Sequence, residues 1–437
     1  MPRQAGGVAP ARRQVAGAEP AEPAPVPTEA EQTLCSAFHG ARVTSEVGSL
    51  RRVLVHRPGE ELERLLPDNH RDLLFDDIPW LHAAQAEHDT FTSLLRGEGA
   101  EVVELTTVLA AALADPGARE ELATAAADGG RLGRPLAAAV RQHLLEAEAG
   151  PLARRLLRGI TLGELQEWAP HRTRYALAAS TRPPEWFVLP PLVNSLFVRD
   201  SSSWIDGVCG THHMSSAARF FEGRQLRTVM RVAGADDVWA GATPPVAMEG
   251  GDLLLLGEGC VLIGIGERTT PAAAEAFAQR LLTTGAARRV FGVIMPRERQ
   301  SMHLDTVMTM VDRETFLVSN VHEQRCHYVE LSLARQGEVR AVPLDDPFAS
   351  FAGALGLPAL RRVETGGDDF GTRREQWSDS ANVLALRPGT VVAYDRNTVA
   401  NQRLDEAGIE VLVIPSSELI RGRGGPHCLT CPLLRDR

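Results

Sequence analysis

Five short segments set reactive side chains beside glycines or at the ends of apolar runs. They are Asn194-Ser-Leu-Phe-Val-Arg-Asp200, Met248-Glu-Gly-Gly-Asp252, Gly266-Glu-Arg-Thr-Thr270, Met302-His-Leu-Asp-Thr306 and Gly422-Arg-Gly-Gly-Pro-His-Cys-Leu-Thr-Cys431. Singly, each has an ordinary structural explanation. An aspartate after a strand caps a turn. Glu-Gly-Gly-Asp reads as a loop, and His303 and Asp305, two apart, share one face of a strand and suit a cross-strand ion pair. Cys428 and Cys431 have the CxxC spacing of redox and zinc sites. A redox pair, however, needs a strand and helix around it, and a structural zinc needs four ligands. His427 offers a third ligand, and there is no second close cysteine pair.

Composition narrows the chemistry further. The chain has 437 residues, is 44% hydrophobic and carries a formal charge of -10. An acidic chain is repelled by nucleic acid and anionic membranes and is compatible with a small cationic substrate. Lysine is absent, which excludes Schiff-base chemistry and a P-loop lysine. Six scattered cysteines are not a disulfide scaffold. No apolar run reaches membrane-spanning length, and no apolar stretch follows Arg12-Arg13 as in a secretory signal. A reducing cytoplasm is the expected compartment.

The elements that must position these residues recur. Asp252–Gly264 reads as two strands around a glycine turn, followed by a helix over 272–282 and a strand over 289–294. Asn382–Tyr394 repeats strand, turn, strand, with a helix over 399–406 and a strand over 409–414. A hairpin fits 305–319, turning at 312–315. Near the start, a strand over 52–56, a helix from Asp76 to Leu95 and a strand over 102–105 are expected. Residues 1–42, rich in Ala and Pro, read as a disordered tail with order beginning at Val43. Residues 107–180 lose their strand signals and read as an inserted helical domain. That leaves 43–106 and 181–437 as the α/β domain that carries the five segments.

Taken together, in their order and spacing, the segments resemble the arginine deiminase family of the guanidine-modifying superfamily. The resemblance runs from about Val47 to the C-terminus and includes Glu46-Val-Gly-Ser-Leu-Arg-Arg-Val-Leu-Val-His-Arg-Pro-Gly59, Leu74-Phe-Asp-Asp-Ile-Pro-Trp-Leu-His82 and Val261-Leu-Ile-Gly-Ile-Gly-Glu-Arg-Thr-Thr-Pro271. It implies a five-bladed, pseudo-symmetric α/β propeller of strand-strand-helix-strand units with an inserted helical bundle. It also implies hydrolysis of free L-arginine to citrulline and ammonia, without metal or organic cofactor. The resemblance leaves a homo-oligomer open. Two alternatives are an amidinotransferase of the same superfamily and a silent arginine-binding relative.

The chemistry fits those residue types. A guanidinium carbon is resonance-stabilised, so attack needs a soft nucleophile, carboxylates to grip the cation and an acid for the departing ammonia. By resemblance, Cys428 is the nucleophile, Asp200 and Asp305 grip the guanidinium, His303 is the general acid and base, and Glu249 orients it. Asp252 supports this shell. Arg219, Arg268 and Asn194 match readers of the substrate carboxylate, Phe197 and Leu50 match residues packing on its stem, and Arg423 matches a mobile gate.

Overall fold

Glycine turns between apolar runs set the architecture. In the computed structural model, which describes residues 27–239 and 247–437, Leu253–Gly257 and Cys260–Ile265 pair as an antiparallel hairpin. Gly257 and Gly259 at its turn have φ of 109° and 67°, a region that disfavours side chains. The helix Pro271–Thr284 starts from the Thr270 side-chain cap with proline in its first turn and stops at left-handed Gly285. It returns the chain to Arg289–Ile294, parallel to Cys260–Ile265.

This order of hairpin, helix and parallel strand recurs. It appears as Leu384–Arg387, Thr390–Tyr394, Thr398–Glu406 and Glu410–Ile414. It appears again as Met308–Asp312, Thr315–Val318, Pro347–Leu355 and Arg361–Glu364. There, inserted strands His327–Leu333 and Val339–Pro343 extend the sheet of Arg289–Ile294. Ser202–Ile205, Val208–Thr211 and Phe220–Val232 repeat the order, with the last strand reduced to a bridge between Cys209 and Asp237. The chain ends supply another unit. Cys431–Arg435 pairs antiparallel with Leu50–Val55, which after the helix Leu81–Gly97 runs parallel to Glu101–Glu104. The fold is thus mixed α/β.

Three expectations are corrected. Part of the expected tail is ordered: Glu29–Phe38 is a helix, started by a Thr28/Glu31 capping box. Its Leu34, Ala37 and Phe38 are buried, and Phe38 stacks on Trp204 at 6.3 Å between ring centroids. Residues 1–26 lie outside the described residues. The helix expected from Asp76 begins instead at Leu81, because Pro79 holds Ile78 out of helical geometry. Helices fill 105–181, but a two-residue strand, Ile160–Thr161, pairs with Phe187–Leu189. Buried Leu109, Leu122, Leu136 and Leu156 from this helical stretch share one apolar cluster with Val229 and Phe277. Among the described residues no helix is long and apolar enough to cross a membrane.

Candidate active site

The repeat explains why distant residues meet. Asp200 lies just before the strand Ser202–Ile205, and Glu249 and Asp252 just before Leu253–Gly257. His303 and Asp305 precede Met308–Asp312, and Cys428 precedes Cys431–Arg435. Each stands in the loop that enters the first strand of a unit, so the units deliver these side chains to one place.

There the groups interlock. His303 Nε2 lies 2.8 Å from Glu249 Oε2, and its Nδ1 lies 3.7 Å from Asp200 Oδ1. Glu249 Oε1 accepts from the backbone N–H and hydroxyl of Ser215 at 2.9 and 2.7 Å, which fixes the carboxylate behind the imidazole. Asp200 accepts from Arg219 Nη1 at 2.5 Å and from Gly251 N–H at 3.2 Å. On the other side, Cys428 Sγ lies 3.5 Å from Asp305 Oδ2. Among the described residues, Asp305 Oδ1 is buried without a hydrogen-bond partner. His303 and Asp305 do not share a strand face as expected. His303 caps a 3-10 turn, Leu304–Thr306, and Asp305 sits inside it, so the two side chains diverge onto opposite partners.

Electrostatics divides the roles. Burial alone would lower the His303 pKa, but Asp200 and Glu249 outweigh it and raise it to about 10. His303 is therefore a cation with a proton to give. Burial also opposes the charge of Glu249, yet His303 and Arg268 hold its pKa well below the usual carboxylate range. Burial pushes the Cys428 thiol well up, and Asp305 and Asp200 add to this. The thiol stays protonated until a positive charge arrives beside it. Burial likewise raises Asp252 to about 7. Its Oδ1 accepts from the Leu304 N–H at 2.9 Å, a supporting position under the turn that carries Asp305. Asp200, Glu249 and His303 each present one ligand atom within 4.8 Å of the others. Arg219 and Arg268 already stand 3.8 and 3.5 Å from Glu249, and these cations oppose a metal dication there.

The cavity over Cys428 measures about 10 Å³, room for about one water. Phe197, Asn194, Arg219, Arg268 and Arg423 line it. Arg219 is heavily engaged, bonding Asp200, Glu222 and the carbonyls of Asn194 and Phe197. Arg268 reaches the Met302 sulfur at 3.8 Å. Arg423 has φ 62°, lies 4.1 Å over the Trp377 ring and makes no hydrogen bond through its guanidinium.

Leu50 does not belong to this wall. It begins the strand Leu50–Val55, paired with Arg435, and is buried in an apolar cluster. Leu74 lines the cavity instead, with φ 66°. Sequence reasoning also missed Asn382, whose Oδ1 accepts from the Cys428 N–H at 3.0 Å and whose Nδ2 donates to the Asp305 carbonyl at 3.2 Å. Its place two residues before the strand Leu384–Arg387 is the signal that could have found it. The two thiols of the CxxC face different partners, since Cys431 contacts the Ser202 carbonyl at 3.3 Å.

The arginine deiminase family model matches residues 71–435. A relative from Mycobacterium avium, an arginine deiminase, is 44% identical over 90% of this chain and 97% of its own length. An arginine deiminase from Mycobacterium tuberculosis is 44% identical over 90% and 98%. Among solved structures, an amidinotransferase of the saxitoxin pathway from Microseira wollei has a TM-score of 0.53 at 13% identity, covering 91% of this chain and 98% of that one. The N-terminal domain of a cyanobacterial arginine dihydrolase has a TM-score of 0.51 at 11% identity, covering 88% and 97%. These two share the fold. By the family match and the long mycobacterial identities, the chain belongs to the arginine deiminase family.

Proposed function

We propose that this chain is an arginine deiminase, hydrolysing free L-arginine to L-citrulline and ammonia through a covalent intermediate on Cys428. The observation that carries this is the convergence of a buried thiol, two carboxylates and a cationic imidazole around one small cavity. Asp200 and the free oxygen of Asp305 receive the substrate guanidinium. Its charge offsets the carboxylates that keep the thiol protonated, the thiol proton passes to solvent, and Cys428 reacts as thiolate. Sulfur attacks the guanidinium carbon. His303 protonates the departing nitrogen, ammonia leaves and a thiouronium remains. His303, now neutral, takes a proton from water as the water oxygen attacks. Collapse expels the sulfur, which takes up the hydroxyl proton and returns to the resting thiol, and citrulline is released. Glu249 holds His303 in register throughout.

Arg268, with few partners, is the readier reader of the substrate carboxylate, assisted by Asn194; Arg219 contributes by fixing Asp200. Phe197 and Leu74 flank the stem. A cavity this small must open to admit arginine. Arg423, held by a ring and by Asp379 at 3.5 Å without hydrogen bonds, is the gate that moves. At the level of architecture, we propose that the recurring units close into a five-bladed ring, with residues 107–180 as its helical insertion. A cytoplasmic setting fits the six free cysteines.

Arginine incubated without added amine, scored for citrulline and ammonia beside agmatine and a peptidyl-arginine, tests this reading. Free arginine is expected to lead agmatine by roughly 10⁴-fold, and Arg268→Ala is expected to compress that lead. No citrulline, or citrulline only when an amine acceptor is added, contradicts it.

A further inference from the structure

His427, which precedes the nucleophile, is buried and is not used by the chemistry above. Its ring lies between two carboxylates. Nδ1 is 2.8 Å from Asp305 Oδ2, and Nε2 is 3.1 Å from Glu46 Oε2. Burial opposes charge on both acids. Even so, Arg199 and His427 draw Glu46 down to about 2, and His427 holds Asp305 below its ordinary value. Ionised carboxylates only accept hydrogen bonds. Each ring nitrogen of His427 faces a carboxylate oxygen, one on either side of the ring. Glu46 is fixed in turn: its Oε1 accepts from the Leu255 N–H at 3.2 Å, and Arg199 Nη1 lies 3.7 Å from its Oε2. Arg199 Nε also donates to the His427 carbonyl at 3.3 Å.

We propose that His427 is a positioning residue for the reaction, a buried ring that locks Asp305 and is itself anchored by Glu46. The inference rests on the deiminase reading of the site. Binding Oδ2 leaves Oδ1 as the one oxygen of Asp305 without a partner, and that oxygen is available to the guanidinium. Without His427 the carboxylate can rotate and set both oxygens against the Cys428 sulfur, which it already faces at 3.5 Å. The ionisable groups facing this unit are Asp305, Glu46, Arg199, Cys428 and Arg435, with His303 beyond Asp305.

The test measures citrulline kcat and KM from acid to alkaline pH for wild type, Glu46→Gln and His427→Ala. Both Glu46 oxygens face donors, so in Glu46→Gln the amide nitrogen must meet either the Leu255 N–H or the His427 ring, and the anchor of that ring is weakened. A fall in kcat of about tenfold is expected, with KM within about threefold. His427→Ala is expected to lower kcat about 10²-fold with a smaller change in KM. A Glu46→Gln profile superimposable on wild type overturns the proposal, as does a His427→Ala kcat within about threefold of wild type. Should His427→Ala fail to fold, Glu46→Gln decides alone. A wild type that forms no citrulline instead removes the deiminase reading, so the two failures are distinct.

Discussion

The two ends of the strands carry cavities of opposite character. At the end where the hairpins turn, a cavity of about 500 Å³ is bordered by Asp206, Glu258, Arg313 and Pro388, with Arg42 and the terminal Arg437. Its size is that of a ligand pocket, yet its charges are exposed or half-exposed, as with Arg313 and Arg42. At the entering end, the cavity holds about 10 Å³, and the acids and bases around it are buried. Room does not mark the site. Buried charge marks it, because a buried ion persists only with partners placed for it. Ser215 behind Glu249, Arg219 on Asp200 and His427 on Asp305 are those partners.

Substitutions at the two ends should therefore differ by orders of magnitude. Cys428→Ala is expected to remove at least roughly 10⁴ of kcat while the fold persists, whereas Cys431→Ala stays close to wild type. Citrulline assays beside circular dichroism check this, and an essential Cys431 with a dispensable Cys428 would break the comparison. Next in size, Gly251→Ala places a Cβ 2.8 Å from both Asp200 Oδ1 and His303 Cγ. Gly251 does not adopt positive φ, so the backbone accepts alanine while the space does not. A fall of about 10² in kcat/KM is expected, and an undiminished rate would show that the acid and base tolerate displacement.

A smaller effect lies in stability against pH. His303 has a raised pKa in the fold, so its contribution is fully present below about pH 6.5 and is lost as pH rises toward about 10. Glu249→Gln removes one of the anions responsible, and its melting temperature is expected to decline less steeply over that window. His56, raised to about 10 against burial by Glu61 and Glu104, declines equally in both proteins; Glu222 and Asp252, each raised to about 7 with Glu249 among the causes, act only near the lower edge, so the difference above about pH 8 isolates His303. Parallel slopes would deny His303 its charge. The smallest expected effect is at the roomy end, where Arg313→Ala should leave kcat/KM within about twofold. A larger loss would make that cavity part of the machinery.

Much of this was legible in the sequence because strands and glycine turns are local. The hairpin and helix of residues 253–284 follow from apolar runs, Gly257, Gly259 and the Thr270 cap. The reactive residues were legible as types, since a buried thiol, histidine and acids beside glycines are uncommon company. Their directions were not legible. Two-residue spacing put His303 and Asp305 on one face, but a 3-10 turn sends them to Glu249 and His427. Leu50 matches a stem-packing residue by its segment, yet it pairs with Arg435 and lies in the apolar cluster behind Phe197 and Cys428 rather than lining the cavity. The helix Glu29–Phe38 was hidden by the Pro-rich run before it, although Thr28 and Glu31 carried its capping signal. Asn382 gave no chemical signal, because an amide that fixes a backbone N–H resembles any other loop asparagine.

The central claim is that Cys428 forms a covalent intermediate with the substrate. Rapid acid quench of the wild-type protein mixed with arginine, followed by mass spectrometry of the peptide carrying Cys428, tests it most directly. The account predicts a transient adduct on that cysteine with the mass of arginine less ammonia, absent from Cys428→Ala. Citrulline appearing while Cys428 stays unmodified at every time point, or the adduct appearing on Cys431, would contradict it.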